Sequence, residues 1–324
     1  MNLKNVLPTN RVWIWRAGIL ALVIVCAYWI GHVCGVASAN PFLLSRDTSY
    51  DLINPTVISN TNKHFIINFL DLKKELSEIQ KRQKSKTFIY FNYLSNSAWV
   101  GLDEKELFHA ASTIKVPLAM AVLKAVEEDK FSLDDSYALQ SFDLDKNFGP
   151  LYQAGEDTQV TVGELVRFML QQSDNTAMFA LLEILSRIGI NNPFDDVYME
   201  MGWELPVLGE LPNYEKINLK TLSNMFLALY NATYINVEHS QLVLDHLAQS
   251  PFNDKIVSGV PKGVVVAHKI GVAVPNHTYS DCGIVYAPSR HYLLCVGTVD
   301  MDEEDASEFM ARVSKSVYDF VINH

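Results

Sequence analysis

Strand-forming segments lie at two widely separated places in this chain, and no other feature constrains its fold as strongly. Near the beginning, residues 87–94 are rich in β-branched and aromatic side chains, and a short turn leads into a second strand near 99–101. Three further strands are predicted late in the chain, over 263–270, 281–286 and 292–299. We therefore expect one antiparallel sheet assembled from both ends of the chain, with the intervening residues inserted as a separate region.

Much of the remaining chain shows apolar residues at the 3–4 spacing of amphipathic helices. One such helix is predicted over 63–84 and another over 305–321, so that helices flank the sheet. The inserted region is predicted to be helical, and Pro117 should kink its first helix. Its helices are expected to begin near Ser112, Thr161, Thr176 and Asn218. The predicted fold class is therefore α+β, an antiparallel sheet with flanking helices and an inserted all-helical region.

The beginning of the chain has the pattern of a segment that enters a membrane. Residues 17–39 carry no charged side chain, and a helix of about 20 apolar residues crosses a bilayer. Basic residues before this segment place residues 1–16 in the cytoplasm and the rest of the chain outside. Two interpretations remain open, an uncleaved anchor and a signal peptide that is cleaved after Ala39. The first is favoured because the apolar run is longer than the core of a usual signal peptide.

This reading divides the chain into a cytoplasmic N-terminus, a membrane segment, a linker over 40–62 and one extracytoplasmic domain over 63–324. We expect the domain to be held at the cell membrane by a single pass, or to be periplasmic or secreted if the segment is cleaved. The formal net charge is -11, and no basic stripe follows the first residues. Nucleic acid is therefore not an expected partner.

Two cysteines lie late in the chain, on neighbouring predicted strands. If the hairpin turns at residues 287–290, Cys282 and Cys295 face each other, and an exported protein can keep a disulfide there. Directly opposed strand residues seldom have good bridging geometry. We therefore expect two buried free thiols.

A serine and a lysine stand three residues apart where the first inserted helix is predicted to start, in Ser112-Thr113-Ile114-Lys115. Serine is a weak nucleophile that needs a base within hydrogen-bond reach, and this spacing puts Lys115 on the same helix face. The N-terminus of a helix also offers N–H groups to an oxyanion. Taken alone, so short a pattern favours an exposed serine and lysine on a helix, so it predicts a nucleophile only together with other elements.

Two further short elements follow in the chain. Ser173-Asp174-Asn175 lies between two predicted helices, where a serine could pass a proton to a leaving nitrogen and an asparagine could bind an amide. Lys269-Ile270-Gly271 closes a predicted strand, where a lysine could hold an anionic group. Taken singly, the first also fits a helix stop and N-cap, and the second fits an ordinary strand end.

The three elements occur in the order S-x-x-K, S-D-N and K-x-G, each on the kind of element that its chemistry requires. In this the chain resembles the class A β-lactamases and penicillin-binding proteins, whose signature is S-x-x-K, S-D-N and K-T-G. The resemblance covers roughly residues 63–322. It implies a serine hydrolase with a β-lactamase/transpeptidase-like fold that works through an acyl-enzyme, without a cofactor or a metal.

The resemblance also assigns roles to catalytic residues. Ser112 is similar to the acylated nucleophile, Lys115 to its proton partner and Ser173 to the proton relay. The backbone N–H groups of Ser112 and Val272 would form the oxyanion hole.

Other positions are implied to bind the substrate. Asn175 would contact the acylamino side chain, while Lys269 and Gly271 would lie on the strand that flanks the site. Ile270 departs from the family pattern, because the family's threonine would supply a hydroxyl to the substrate carboxylate. This departure puts carboxylate recognition in doubt.

A second departure concerns release of the acyl group. Class A β-lactamases use a glutamate in a loop after S-D-N, which acts through a water molecule. Glu204 lies in a Trp-Glu-Leu-Pro context that faintly matches this loop, and Glu210 is the other candidate. Both could also be plain surface carboxylates. His109 and His268 flank two of the motifs, but structural roles are expected for both.

Three hypotheses follow. The first is hydrolysis of a small-molecule β-lactam, and the second is D-alanyl-D-alanine carboxypeptidase or transpeptidase action on a peptidoglycan stem peptide. They differ in how fast water removes the acyl group from Ser112. The third is a catalytically silent cell-surface domain that binds wall material; Ile270 favours it, whereas Lys115 and Ser173 argue against it.

Overall fold

The computed structural model describes residues 68–202 and 216–324, and between these ranges it describes the backbone of two short strands that pair with each other, Val207–Leu208 and Leu211–Pro212. The predicted cytoplasmic, membrane and linker segments lie outside the described residues, as do Glu204 and Glu210. Over the described ranges, no helix is both long enough and apolar enough to cross a membrane. The predicted domain boundaries stay predictions.

Five antiparallel strands form one sheet. They are β1 (Lys86–Tyr93), β2 (Ala98–Leu102), β3 (Val266–Ala273), β4 (Thr278–Val285) and β5 (Tyr292–Val299). Their order across the sheet is β2-β1-β5-β4-β3, so β3 is an edge strand. The early and late strands meet where β1 pairs with β5, with Lys86 opposite Val299. The prediction of one antiparallel sheet built from both ends of the chain is confirmed.

Helices cover both faces of this sheet. One face is covered by α1 (Leu70–Lys81) and the C-terminal helix Glu303–Asn323. The other is covered by the inserted region, with α2 (Lys115–Glu127), α3 (Val162–Gln171), α4 (Asn175–Arg187), α5 (Pro193–Glu200), α6 (Leu219–Asn231) and α7 (Val237–Ala248). The C-terminal helix is α8 in chain order. The sequence pattern predicts all of these except α5 and α7.

Side chains along β1 point alternately into two hydrophobic cores, one on each face of the sheet. Phe88 and Tyr90 join the core under the inserted helices, whereas Ile89, Phe91 and Tyr93 join the core under α1 and α8. Successive strand residues point to opposite faces, so a strand buried on both faces reads as a continuous apolar run. The sheet is therefore the middle layer of three. Its edge strand β3 has one side without a neighbouring strand, where a site can form.

Short strand pairs and caps hold the inserted region. Phe108–His109 pairs with Lys216–Ile217, and Ser136–Ala138 pairs with Gln159–Thr161. Thr161 and Glu164 form the predicted capping box, in which each side chain binds the other residue's backbone N–H.

Two element boundaries differ from prediction around the motifs. A 3₁₀ turn over Ala111–Ile114 precedes α2, so the α-helix begins at Lys115 and not at Ser112. Pro117 thus lies in the first turn of α2, where a missing N–H costs no helix bond, and α2 continues through it. β3 begins three residues late, after a turn in which Val264 N–H binds the Pro261 carbonyl. The motif lysine Lys269 therefore lies inside the strand and not at its end.

The late cysteines correct one prediction. The hairpin of β4 and β5 has the predicted register, with Cys282 opposite Cys295. The structure joins the two in a disulfide, so the expectation of free thiols is wrong. Their Cα atoms are 3.9 Å apart.

Candidate active site

The turn before α2 presents Ser112 at the edge of the sheet. Ala111 has φ +46°, a left-handed conformation that costs energy for a residue with a Cβ. The Thr113 hydroxyl and N–H both donate to the Ala110 carbonyl, at 2.6 and 3.1 Å, and so fix this turn. Ser112 is half-buried there, three residues before the first residue of the helix, Lys115.

Lys115 lies at the centre of the site. Its Nζ is 3.2 Å from Ser112 Oγ, 3.3 Å from Ser173 Oγ and 2.7 Å from Asn175 Oδ1, and it also donates to the Ser173 carbonyl oxygen. The two carbonyl-type oxygens can only accept, so they take two N–H groups of the amine. The lone pair of a neutral amine is then left for a hydroxyl hydrogen of Ser112 or Ser173.

The surroundings of Lys115 favour that neutral form. The side chain is 1% exposed, and burial lowers its pKa to about 7, although Asp174 and Asp145 partly oppose the shift. Taking an ammonium group out of water penalises its charged form. Lys115 is therefore a base poised near neutral pH.

Ser173 connects Lys115 to the lysine of β3. Lys269 Nζ lies 2.7 Å from Ser173 Oγ, so two lysines share one hydroxyl. Burial and the like charge of Lys115 lower the pKa of Lys269 well below its ordinary value. Ser173 has φ +54° and is fully buried, a strained backbone that aims its hydroxyl between the two amines.

The neighbours of Ser173 hold this arrangement. Asp174 caps α4 by accepting from Ala177 N–H at 2.9 Å, and it accepts from Leu151 N–H at 2.8 Å. Asn175 donates from Nδ2 to Asp145 Oδ1 at 3.0 Å, which orients its other amide atom, Oδ1, toward Lys115.

β3 packs closely against the turn that carries Ser112. A Cβ on Gly271 would stand 2.6 Å from Ser280 Oγ and 3.0 Å from the Ala110 carbonyl oxygen, so only glycine fits without a shift. Val272 follows Gly271 in the strand. The oxyanion pair of Ser112 and Val272 N–H groups stays a prediction.

A match to a family model decides what kind of protein this geometry belongs to. The model of the beta-lactamase enzyme family matches residues 71–321, which contain the whole described site. The chain belongs to the β-lactamase enzyme family. As a family member it is a serine hydrolase of the class A β-lactamase type, which confirms the resemblance on which Ser112 was singled out.

Individual relatives agree with this membership. Beta-lactamase 3 of Bacillus cereus is 26% identical over 241 residues, which are 71% of this chain and 74% of that protein. A β-lactamase of Bacteroides uniformis is 27% identical over 232 residues, which are 65% of this chain and 78% of that protein.

Solved structures confirm the predicted β-lactamase/transpeptidase-like fold. PBP-A superposes with a TM-score of 0.72 at 23% identity, covering 82% of this chain and all of that one. A β-lactamase from Sphaerobacter thermophilus gives a TM-score of 0.70 at 18% identity, covering 80% of this chain and 99% of that one.

The structure thus brings four predicted site side chains of this β-lactamase-family protein around the amine of a fifth, Lys115. Ser112, Ser173 and Asn175 contact Lys115, and Lys269 reaches the same group through Ser173. Ile270 follows Lys269 in β3, and its side chain is buried. It offers the cleft no hydroxyl.

The two histidines beside the motifs have structural roles, as predicted. His109 Nδ1 accepts from Ala111 N–H at 3.1 Å and so supports the nucleophile's turn. His268 Nδ1 lies 2.8 Å from Asp281 Oδ1, and both side chains are fully buried. Within the ranges described, no three His, Cys, Asp or Glu side chains converge as metal ligands.

Sequence reasoning missed two residues of this family member's site. Asp145 orients Asn175, and the Phe148 ring lies 5.9 Å from Lys115 Nζ. Both stand in an irregular segment without helical or strand period. Asp145 also accepts from Asn147 N–H at 2.8 Å, a local turn that marks a loop but not its role.

Proposed function

We propose that this protein opens the four-membered ring of a β-lactam through an acyl-enzyme on Ser112. The observation that carries the proposal is the Lys115 amine. It is buried, its pKa is near neutral, and its two fixed acceptors leave its lone pair for Ser112 Oγ at 3.2 Å.

Acylation proceeds by proton transfers that the site can make. Ser112 Oγ forms a bond to the lactam carbonyl carbon while its proton moves to Lys115. The carbon–nitrogen bond of the ring then breaks, and the nitrogen takes a proton from the Ser173 hydroxyl. Lys115 and Lys269 both lie within hydrogen-bond distance of that hydroxyl, and the proton held on Lys115 restores it.

The comparisons support a β-lactam as substrate. The two curated relatives described above bear the name β-lactamase, and a mutant of PBP-A has been solved as an acyl-enzyme complex with penicillin G. That mutant superposes with a TM-score of 0.69 at 24% identity, so the same fold forms an acyl-enzyme with a β-lactam in that protein. In the present protein Lys269 is the candidate partner of the lactam carboxylate, without help from Ile270.

Water must then release the acyl group, and this step separates the proposed β-lactamase from a penicillin-binding protein. Glu204 is the first candidate for the base and Glu210 the second, and both could also be plain surface carboxylates. Both predictions rest on the sequence. A slow release would instead fit an enzyme whose natural acyl donor is a peptidoglycan stem peptide.

The test uses the purified chain with a chromogenic cephalosporin, read by absorbance and by intact mass. We expect many turnovers per enzyme and none in Ser112→Ala. A stable one-to-one adduct without turnover would assign the penicillin-binding alternative. Absence of both would refute acyl transfer for this substrate class and favour a silent binding domain.

We also propose that residues 17–39 anchor the protein in the cell membrane with its catalytic domain outside. The uncharged length and the basic residues before it support this location. Fractionation and the intact mass of the mature protein test it, because cleavage after Ala39 would yield a soluble product that begins at Asn40.

A further inference from the structure

A pocket of about 570 Å³ opens beside the catalytic groups, and none of the catalytic residues lines it. It is formed by the loop 147–150, the end of α3 and the residues that follow α7. Its volume lies in the range of pockets that bind small ligands.

The Phe148 ring links this pocket to the catalytic lysine. The ring lines the pocket and also lies 5.9 Å from Lys115 Nζ. The loop cannot easily move away, because the Phe148 carbonyl accepts from Asn175 N–H at 3.0 Å. In addition, a Cβ on Gly149 would stand 2.2 Å from Asp174 Oδ2, so this loop lies directly on the segment that carries Ser173.

Gln172 makes the second link. It lines the pocket and directly precedes Ser173 in the chain. Ser173 is the group that protonates the leaving nitrogen in the mechanism above. The pocket therefore adjoins the side of the site on which the amine part of a substrate leaves.

The lining contains no charged side chain. It combines two phenyl rings, Phe148 and Phe252, whose centroids are 5.7 Å apart, with four carboxamides. The carboxamides belong to Asn147, Gln171, Gln172 and Gln249. Gln171 Nε2 is held by Gln249 Oε1 at 3.2 Å, whereas no described residue hydrogen-bonds the Gln172 side chain.

A carboxamide presents one acceptor and two donors, which match a peptide group and give no advantage to a charge. The flat rings suit the planar amide beside them. We propose that this pocket binds the substituent on the leaving-nitrogen side of the substrate and selects a neutral substituent that carries an amide. This proposal rests on the proposed function. The amine part of a peptide-like substrate is the chemical class that fits.

Two cephalosporins with the same 7-acyl group test this selection in the full chain, one with a 3-methyl and one with a neutral 3-carbamoyloxymethyl group. The measured quantity is the ratio of their second-order rate constants for acylation of Ser112. The intrinsic reactivity of each ring cancels when this ratio is compared between variants. The variants are Gln172→Leu, which keeps the bulk but removes the amide, and Phe252→Ala, which removes a wall.

The matched control is Gln159→Leu, on the Ser136–Ala138 and Gln159–Thr161 strand pair outside the pocket. Loss of one neutral hydrogen bond should lower the ratio about fivefold in Gln172→Leu relative to this control. Phe252→Ala should lower it as well. Ratios equal to the control in both variants would overturn the inference, while acylation itself would still support the proposed function.

A neutral disaccharide of N-acetylated sugars serves as a competitor. If it abolished the discrimination at concentrations where an acetylated dipeptide amide had no effect, the pocket would be a saccharide site and the inference would be wrong. Loss of all acylation of the unmodified chain would instead refute the proposed function.

Discussion

Acylation of Ser112 should follow the ionisation of Lys115, whose buried amine is the proposed base. With a pKa of about 7, roughly three quarters of Lys115 is free amine at pH 7.5, against about one in a thousand for a lysine with an ordinary pKa of 10.5. The free amine is the active form, so the rate should rise with pH. It should increase about tenfold per unit below pH 7 and level off above it.

The assay is single-turnover acylation by a cephalosporin between pH 5.5 and 9.5, quenched in acid and read by intact mass. Lys115→Gln is the matched variant, because its amide can still donate to Asn175 Oδ1 but cannot accept a proton. We expect it to fold, as judged by circular dichroism, and to acylate about 10²–10⁴-fold more slowly. A rate that keeps rising to pH 9.5, or wild-type acylation in Lys115→Gln, would refute the assignment of Lys115 as base.

Three other predictions address the framework of the site. Gly271→Ala should slow acylation about 100-fold, because the new Cβ would stand 2.6 Å from Ser280 Oγ and displace β3. The control variant Gly163→Ala should acylate at the rate of the unmodified protein. Equal rates in the two variants would contradict the close packing of β3. Asp281→Asn should lower the free energy of unfolding, measured in urea, by about 1–3 kcal/mol. The two carboxylate oxygens of Asp281 face Ile256 N–H and His268, whereas an amide has only one acceptor oxygen. An unchanged midpoint of urea unfolding would count against this network. A tryptic digest without reductant should hold peptides 270–290 and 291–312 in one species that separates on reduction, and separate peptides with free thiols would disprove the disulfide.

The catalytic constellation was predictable because each of its parts is short and local. Ser112 and Lys115 stand one turn apart, and Ser173 follows a helix stop, so each motif predicts its own geometry. The sheet was predictable for a similar reason, since an apolar β-branched run marks a buried strand. Its hairpin register followed from the turn, which correctly placed Cys282 opposite Cys295.

What the sequence did not predict depends on contacts between distant segments. Phe148 lies against Lys115 because its loop packs on the segment around Asp174, and no periodicity encodes that packing. The strand predicted over 263–270 starts three residues too early, because its first valines follow a turn in which Gly263 has φ +93°. The disulfide was not predicted, because the distance between the two strands is set by the hydrogen bonds that pair them and cannot be inferred from either cysteine.

The start of α2 shows how a functional site breaks a local rule. Residues from Ser112 onward look helical, yet the strained Ala111 and the bonds from Thr113 to Ala110 produce a 3₁₀ turn first. This turn places the nucleophile ahead of the helix that carries its base. Strain of this kind persists only where surrounding contacts fix it, and β3 at Gly271 supplies such a contact.

The most direct test of the account is the site of covalent attachment. After a short exposure of the full chain to a cephalosporin and an acid quench, trypsin should release peptide 106–115 with the mass of the opened lactam added, and fragmentation should place it on Ser112. The adduct should be absent from Ser112→Ala. An adduct on Ser173 or on another residue, or no adduct at any quench time, would contradict the assignment of Ser112 as the nucleophile.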